Sequence, residues 1–423
     1  MSLGNLGADY RRLWTAAAVS NVGDGIRETA LPLLAAALTR DPRLVAAVAF
    51  ANRLPWLVLS LVSGALVDRW DRKRVMSITD AARMVLMIGL SVAVMTGNAS
   101  VPLLCVIAFM LGAAETLFDN AAHAILPSVV AREDLEKANG QLEAAMLVGN
   151  NFLGPALGGL LFAAFAAGPF LLDGISFGLA AALVIALKGR FQPKRSLEAR
   201  SRKVLRALSV DIREGCTWLW RHKALRSLSV MSAVVNLVLH ATYAIFVLFA
   251  LEILGLSEAG FGLLLVAEAA GSFLGAMVAS RISHRFGTRN TILGAIALAG
   301  ASNLVIGVSS QTIVVAVMLV SLSIAGVVWN VITTSLRQSL VPDELLGRVN
   351  SAHRCLAWGA IPLGALLGGF LASGFGLRLP FVVAAVALGI LTIVAAVVFR
   401  TSVPGGIEEA DAPPAQELQA LAS

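Results

Sequence analysis

Long apolar runs, each of about 20 residues, recur along most of the chain and are separated by short polar segments. A run of this length crosses a bilayer as one α-helix, and the alternating pattern that a membrane-spanning strand requires is absent. We therefore predict an all-α polytopic membrane protein. Its predicted spans, about twelve in number, are residues 13–38, 44–67, 75–95, 101–122, 138–166, 169–187, 228–251, 259–281, 291–308, 313–336, 346–372 and 379–399.

The predicted spans fall into two sets of six, with a long polar segment between them. We expect an N-terminal six-helix bundle over residues 1–187, a cytoplasmic linker over 188–225, and a C-terminal six-helix bundle over 226–400. The amphipathic run 205–220 in the linker is predicted to lie on the membrane surface, and a plain solvated linker is the alternative. The Pro-, Ala- and Glu-rich tail, 401–423, is predicted to be disordered.

The distribution of charge predicts the orientation in the membrane. Only 14% of the 423 residues are charged, against about 25% in an average soluble domain. The basic residues that give the net charge of +7 concentrate in alternate loops, and the opposite loops hold little beyond Arg40, Arg43 and Arg378. The positive-inside rule explains this asymmetry without a nucleic-acid partner. We expect a multi-pass protein of a bacterial-type inner membrane, with both termini cytoplasmic.

Several classes of chemistry have no sequence signature in this chain. Cys105, Cys216 and Cys355 are scattered and odd in number, and the five histidines form no ligand cluster, so we predict no disulfide framework, no metal and no cofactor. The nucleotide-binding pattern G-x-x-x-x-G-K-[ST] is absent. No clustered catalytic constellation is visible, so an enzyme is not expected, and the very short outer loops argue against a receptor. We expect a monomer in the lipid bilayer.

The two halves of the chain repeat each other at an offset of about 210 residues. The triplet Ile125-Leu126-Pro127 recurs as Leu340-Val341-Pro342, and the pair Gly158-Gly159 recurs as Gly368-Gly369. The loop 283–289 also echoes the basic loop that follows the second span. Such parallel repeats predict two pseudo-symmetric bundles with a site between them near the midplane.

The loop between the second and third spans carries a recognisable motif. Its residues Gly64, Asp68, Arg69, Arg72 and Lys73 match the pattern G-x-x-x-D-R-x-G-R-K/R, with Asp71 in place of the second glycine. The chain in this respect resembles the major facilitator superfamily, which implies the major facilitator fold and a cytoplasmic gating role for these residues. The resemblance also implies that Asp119, near the cytoplasmic end of the fourth span, is a partner of Arg72. A basic loop that only sets topology is the alternative.

A second motif lies in the fifth span. There Gly154, Pro155, Gly158 and Gly159 resemble the G-x-x-x-G-P-x-x-G-G pattern associated with antiporters, although an ordinary glycine-rich packing face is the alternative. The stretches 21–25 and 173–177 narrow the resemblance to the branch of macrolide efflux proteins and the enterobactin exporter. This resemblance covers nearly the whole chain up to about residue 400.

Charged residues inside the predicted spans need a reason, because a charge at the bilayer centre costs roughly 3 kcal/mol or more. Asp24, Arg27 and Glu28 share one face of the first helix. Arg53 lies at a similar depth in the second helix, and Glu115 precedes Asp119 by one turn in the fourth. The resemblance implies that the first and fourth helices line a central cavity. Either Asp24, Glu28 or Glu115 takes up and releases a proton, with Arg27 and Arg53 as counter-ions, or these residues form a structural ion-pair network.

Polar residues also follow one face of two spans in the second half. They are Asn236, His240 and Tyr243 in the seventh span and Trp329, Asn330 and Thr333 in the tenth. We expect them to line a substrate cavity opposite the first and fourth helices, with interhelical hydrogen bonding as the alternative.

Together these patterns predict a secondary active transporter that works by alternating access. The primary hypothesis is a proton-coupled exporter, an antiporter, of small, partly apolar molecules such as drugs or siderophore-like compounds. An uptake transporter or a lipid-moving facilitator on the same fold is the first alternative. A membrane receptor is a more distant one.

Overall fold

The computed structural model describes residues 6–67, 70–189, 191 and 215–402, which are almost entirely helical and include no strand. Nine helices in these ranges are long and apolar enough to cross a membrane. The helices of the first half are α1 (Ala8–Leu38), α2 (Pro42–Val67), α3 (Arg72–Met95), α4 (Val101–Ile125), α5 (Leu135–Met146), α6 (Gly154–Ala164) and α7 (Gly168–Ile185). Those of the second half are α8 (Lys223–Leu248), α9 (Glu258–Val308), α10 (Thr312–Leu340), α11 (Asp343–Phe375) and α12 (Leu379–Ser402).

Two features reconcile these helices with the predicted spans. A π-helical turn, Leu147–Leu153, joins α5 to α6, so these segments form one continuous span. Helix α9 contains two spans, because the chain bends at Gly287 and continues as a helix on both sides. Counted in this way, the described residues form two sets of six spans, which confirms the predicted fold class. The predicted loop 283–289 is reduced to a single non-helical residue, Gly287, with φ 76°, a conformation that glycine adopts without strain.

Among the described residues, the buried apolar contacts between the two halves lie toward one end of the molecule. We call the end where α1 begins and α12 finishes the terminal end, and the opposite end the far end. At the far end one buried apolar cluster joins both halves and includes Leu33, Phe170, Phe249 and Phe261. At the terminal end each half has its own buried cluster, around Tyr10 and Met76 in the first half and around Leu228 and Ile292 in the second. The described conformation is therefore closed at the far end.

The repeated glycine pairs make equivalent contacts in the two halves. A Cβ atom on Gly158 would lie 2.7 Å from the backbone oxygen of Ile26 in α1, and one on Gly368 would meet the backbone of Ala241 in α8. The second glycine of each pair faces the other half of the molecule: Gly159 packs on α9 and Gly369 on α2. The internal repeat is thus preserved in the packing, and these close contacts hold the far end together.

Some sequence predictions fall wholly or partly outside the described residues. Asp68 and Arg69 of the loop motif lie outside them, as do most of the linker and residues 403–423 of the tail. Of the predicted amphipathic run 205–220, residues 205–214 lie outside, and residues 215–221 form a helical segment whose Gly215 packs on the backbone of Arg348. Phe191, the one described residue of the segment 190–214, is buried and accepts a hydrogen bond from the Arg72 backbone nitrogen at 3.3 Å.

Candidate functional site

The guanidinium of Arg27 in α1 lies at the centre of a buried charge cluster. Its Nη2 lies 2.8 Å from Oδ1 of Asp24 and 4.0 Å from Oε2 of Glu115, and its Nε lies 3.4 Å from Oδ2 of Asp173 in α7. The Arg27 side chain is 4% exposed and that of Asp173 is fully buried. One cation is therefore shared by three carboxylates from three helices, and we call these four residues the Arg27 cluster.

Glycines in α1 allow the neighbouring helices to reach this cluster. A Cβ on Gly23 would lie only 2.5 Å from Oδ1 of Asp173, so α7 can bring its carboxylate against α1 only because Gly23 has no side chain. On the other side of α1, a Cβ on Gly25 would lie 2.8 Å from Cα of Asn150 in the π-helical turn. The small residues thus set the position of Asp173, next to Arg27.

The predicted antiporter-like motif forms the packing surface beside the cluster. Gly154 faces Gly25, Gly158 faces Ile26, and the carbonyl of Pro155 lies against Gly262 of α9. This arrangement is the close helix packing that small residues permit in a membrane. Its involvement in antiport stays a prediction.

The bonding of the Arg27 cluster is incomplete. Neither Oδ2 of Asp173 nor Nε of Arg27 has a hydrogen-bond partner, although both atoms are buried. Ser176 donates from Oγ to the Asp173 backbone oxygen at 2.8 Å and lies 3.4 Å from its Oδ1. A buried carboxylate normally needs both an ion partner and hydrogen bonds to offset its desolvation. Three ionised carboxylates around one guanidinium do not meet that requirement.

A second buried ion pair lies on α3, next to the Arg27 cluster. Nη1 of Arg83 lies 3.7 Å from Oδ1 of Asp80, and both side chains are almost fully buried. The Arg83 guanidinium also lies 5.0 Å from the ring centre of Phe118 and 5.2 Å from that of Phe177. The site prediction from sequence omitted Asp80, Arg83 and Asp173. Their signal was available, since each is a charge within a predicted span.

A cavity of about 100 Å³ lies between the two halves, beside the Arg27 cluster. Glu28 and Arg53 lie in its wall, with Oε1 and Nη2 3.9 Å apart, and about two fifths of each side chain is exposed. Its other walls come from α8, α9 and α11 and are mostly apolar, except for His240 and Tyr243. The structure therefore separates the predicted charges into two groups. Glu28 and Arg53 face the cavity as an ion pair, whereas Asp24 and Glu115 belong to the Arg27 cluster.

The predicted stripe on the seventh span lies partly at this cavity. Tyr243 and His240 line it, and Nδ1 of His240 lies 2.9 Å from the Asn236 backbone oxygen. Asn236 donates from Nδ2 to the backbone oxygen of Ala357 at 2.7 Å, which links α8 to α11. For Asn236 the geometry is thus that of an interhelical hydrogen bond.

The predicted residues of the tenth span do not line the cavity in this conformation. Trp329 and Thr333 are buried inside the second half, and Thr333 donates from Oγ1 to the Trp329 backbone oxygen at 2.7 Å. Asn330 is exposed, on another part of the surface of α10. Helix α10 has neighbouring helices on several sides, and residue spacing alone does not determine which neighbour the face with Trp329 and Thr333 packs against. This is why the prediction that they line the cavity differs from the structure.

The described residues of the loop motif bind the ends of other helices. Arg72 donates from Nη1 to the backbone oxygen of Ala124 at the end of α4, and Lys73 donates from Nζ to that of Leu187 just after α7, both at 2.7 Å. The implied pairing of Arg72 with Asp119 is not formed among the described ion pairs. Unpaired carbonyl groups at a helix C-terminus attract cations, which accounts for this choice of partner. In the second half, Arg289 donates from Nη2 to the backbone oxygen of Ala396, which lies within α12 rather than at its end, at 3.2 Å.

Similarity to known proteins extends over nearly the whole chain. The family model of the transmembrane secretion effectors matches residues 7–421. The multidrug efflux pump Tap of Mycolicibacterium fortuitum is 29% identical over 400 residues, which are 90% of this chain and 93% of that protein. Tap of Mycobacterium tuberculosis H37Rv is 28% identical over 371 residues, covering 85% of this chain and 86% of that protein.

Solved structures with the same fold are more distant in sequence. The crystal structure of a bacterial homologue of the iron transporter ferroportin, in an inward-facing state, matches with a TM-score of 0.73 at 16% identity. The match covers 94% of this chain and 99% of that one. At this identity the match shows the fold and nothing about substrate.

Proposed function

Because the chain belongs to the transmembrane secretion effector family of the major facilitator superfamily, we propose that this multi-pass membrane transporter is a proton-coupled exporter of small, partly apolar molecules. Relatives that align over most of the chain are named as multidrug efflux pumps, which supports export. The observation that carries the proposal is the cavity between the two halves. The cavity is smaller in this conformation than a typical ligand pocket, but its lining combines the partly exposed Glu28–Arg53 pair with mostly apolar walls, which match the polar group and the apolar body of such a molecule.

The distribution of basic residues gives the proposed orientation of the protein in the membrane. With cytoplasmic termini, the far end faces outward, and the described conformation has its outer side closed. For export by alternating access, the outer side must open, which requires that the contacts of Gly159 with α9 and of Gly369 with α2 break. A cysteine replacing Arg43 or Arg378 should react with a membrane-impermeant reagent from outside, and one replacing Lys73 should not. Labelling of the Lys73 position in intact cells would contradict the orientation.

Coupling to protons is proposed to use carboxylates that can lose their cation during this cycle. Glu28 faces the cavity with Arg53, while Asp24 and Glu115 share Arg27. Because a carboxylate near a cation favours the charged form and an isolated buried one favours the neutral form, any movement of Arg27 or Arg53 changes proton binding. These three residues are the proposed proton-coupling groups, with the two arginines as counter-ions.

Transport into inverted membrane vesicles tests the proposal directly. We expect vesicles containing the protein to accumulate ethidium, a small aromatic cation, when their interior is made acidic, and to lose it when a protonophore collapses the gradient. Vesicles without the protein are the control. Accumulation that ignores the gradient would contradict coupling, and accumulation only in right-side-out vesicles would favour the uptake alternative.

A further inference from the structure

The carboxylate of Asp173 has a setting unlike that of the proposed coupling residues. It lies on α7, is fully buried, and does not line the cavity between the halves. Its Oδ2 accepts no hydrogen bond, and the nearest cationic atom, Nε of Arg27, is 3.4 Å away and also lacks a hydrogen-bond partner. An ionised carboxylate has about four acceptor sites to fill, whereas a protonated one has fewer. The surroundings of Oδ2 suit the neutral acid.

The charges around Asp173 also favour its neutral form. The charged groups nearest to it are Asp24 and Arg27 on α1 and Arg83 on α3. Glu115 on α4 lies 4.0 Å from Arg27, Asp80 on α3 pairs with Arg83, and Asp119 follows Glu115 by one helical turn. The π-helical turn and α6 add no charged residue to the site, and Asn150 presents only an amide. Five carboxylates, with Asp173 included, therefore share two guanidinium groups. Full ionisation would leave an uncompensated negative charge in a low-dielectric interior, which bound protons remove.

We infer that Asp173 is a proton-binding group that exchanges its proton with Asp24 as Arg27 moves between them. In the described conformation Arg27 pairs closely with Asp24 at 2.8 Å, and Asp173 carries the proton. When Arg27 moves toward α7, the O–H bond of Asp173 breaks, an O–H bond forms on Asp24, and the Arg27 N–H groups bind the freed Asp173 carboxylate. The total charge of the cluster is unchanged by this step. Asp24, whose side chain is 19% exposed, then releases the proton to solvent.

The ligand of this site is a proton rather than a metal ion. A sodium ion requires several oxygen ligands, and the free oxygen of Asp173 has a guanidinium nitrogen as its neighbour. That positive charge repels a second cation but can replace a departing proton. The inference rests on the proposed proton coupling, because it assigns the coupling step to an exchange around Arg27.

Infrared spectroscopy of the purified protein in sodium-free lipid nanodiscs measures this proton directly. At neutral pH we expect a carbonyl-stretching band from a protonated carboxylic acid that is lost in Asp173→Asn and shifted in Asp173→Glu. The control is Asp41→Asn, which removes a partly exposed carboxylate that pairs with Arg43 outside the Arg27 cluster and is expected to retain the band. If Asp173→Asn does not fold, the shift in Asp173→Glu decides the assignment. An unchanged band in either Asp173 variant would overturn the inference.

A transport measurement then separates this inference from the proposed function. In vesicles, Asp173→Asn should lose gradient-driven ethidium accumulation and keep ethidium movement down its own concentration gradient, while Asp41→Asn keeps both. Wild-type transport that ignores the proton gradient would refute the proposed function, even with the infrared band assigned to Asp173. Gradient-driven accumulation that survives in Asp173→Asn would refute the inference and leave the proposed function standing.

Discussion

The two halves of the molecule have the same helix packing but very different interiors. Gly158 packs on α1 as Gly368 packs on α8, and Lys73 and Arg289 each bind a backbone oxygen of their half's last helix or just beyond it. Among the described residues, however, every fully buried charged side chain belongs to the first half: Arg27, Asp80, Arg83 and Asp173. The buried polar side chains of the second half are Ser229, Ser232, Thr242, Thr291, Ser302, Asn303, Thr333 and His353.

This difference separates what the repeat conserves from what it does not. The small residues that bring helices together serve both halves, since both must pack in the same lipid environment. Buried charges are costly, so their confinement to one half is not explained by packing that the two halves share. The comparison is consistent with the proposal that proton binding takes place in the first half, while the second half provides a largely apolar wall for the cavity.

The largest effect should come from removing the central cation of the first half. Arg27→Gln leaves the carboxylates of Asp24, Asp173 and Glu115 without their shared partner, and breaking a buried ion pair costs about 3–5 kcal/mol. We expect a markedly lower thermal unfolding temperature in detergent. The control is Arg354→Gln in the second half, whose guanidinium rests on the exposed face of Trp358. Equal destabilisation by both changes would remove the distinction between the halves.

A large functional effect without loss of folding should follow from neutralising single carboxylates. Asp24→Asn and Glu115→Gln should each abolish gradient-driven transport, because the amide cannot bind a proton. Membrane abundance should stay near that of the wild type, since Asp24 and Glu115 are partly exposed. His240→Gln, in the second-half wall of the cavity, should instead change the substrate concentration needed for half-maximal transport. If both amide variants keep full pH-dependent transport, the carboxylates are structural.

An intermediate effect, similar in the two halves, should come from the glycines that close the far end. A Cβ on Gly159 would lie 2.6 Å from the Glu258 backbone oxygen, and one on Gly369 would lie 2.6 Å from Cβ of Ala46. Gly159→Ala and Gly369→Ala should both weaken the closed far end and increase labelling, from outside, of a cysteine introduced into the cavity. Gly374→Ala, where a Cβ has open space, is the control. A response in only one half would show that the two contacts are not equivalent.

The smallest effect should come from the two cations that bind backbone oxygens of the last helices. Lys73→Gln removes a charge from a helix C-terminus, an interaction worth about 0.3–1 kcal/mol at an exposed site, and Arg289→Gln removes one hydrogen bond to the Ala396 oxygen within α12. Both should lower the unfolding temperature slightly and to a similar degree. A loss of transport in Lys73→Gln alone, with stability unchanged, would indicate that the first-half loop has a role beyond binding the helix end.

The sequence predicted the spans because a bilayer requires about 20 apolar residues for each crossing. It also predicted that Asp24, Arg27 and Glu28 share a face, since residues three and four apart are neighbours on a helix. The distribution of those charges between the cavity and the buried cluster depends on tertiary contacts. Asp173 stands only a few residues after the start of α7, so its depth and its contact with Arg27 followed from Gly23 and from the path of α7, which the pattern does not encode.

Two other differences have similar physical origins. The partner of Arg72 is a backbone carbonyl group, and such groups occur at every position, so the sequence does not single out Ala124. The stripe of Trp329 and Thr333 has the right spacing for one helix face, but the face that meets the cavity is decided by the helices around α10. Helix spacing predicts which residues point together and leaves open what they point toward.

The single-residue bend in α9 has a mechanical consequence. The arm from Glu258 to Phe286 is one rigid rod about 43 Å long, with its tip at the far-end contact between Gly262 and α6. At its other end the arm is joined to the following helix by Gly287 alone, so no flexible loop would absorb a displacement of the tip. If the arm tilted by about 10° about Gly287, its far-end tip would move by roughly 7 Å, so a small change of angle at this residue suffices to separate the contact with α6.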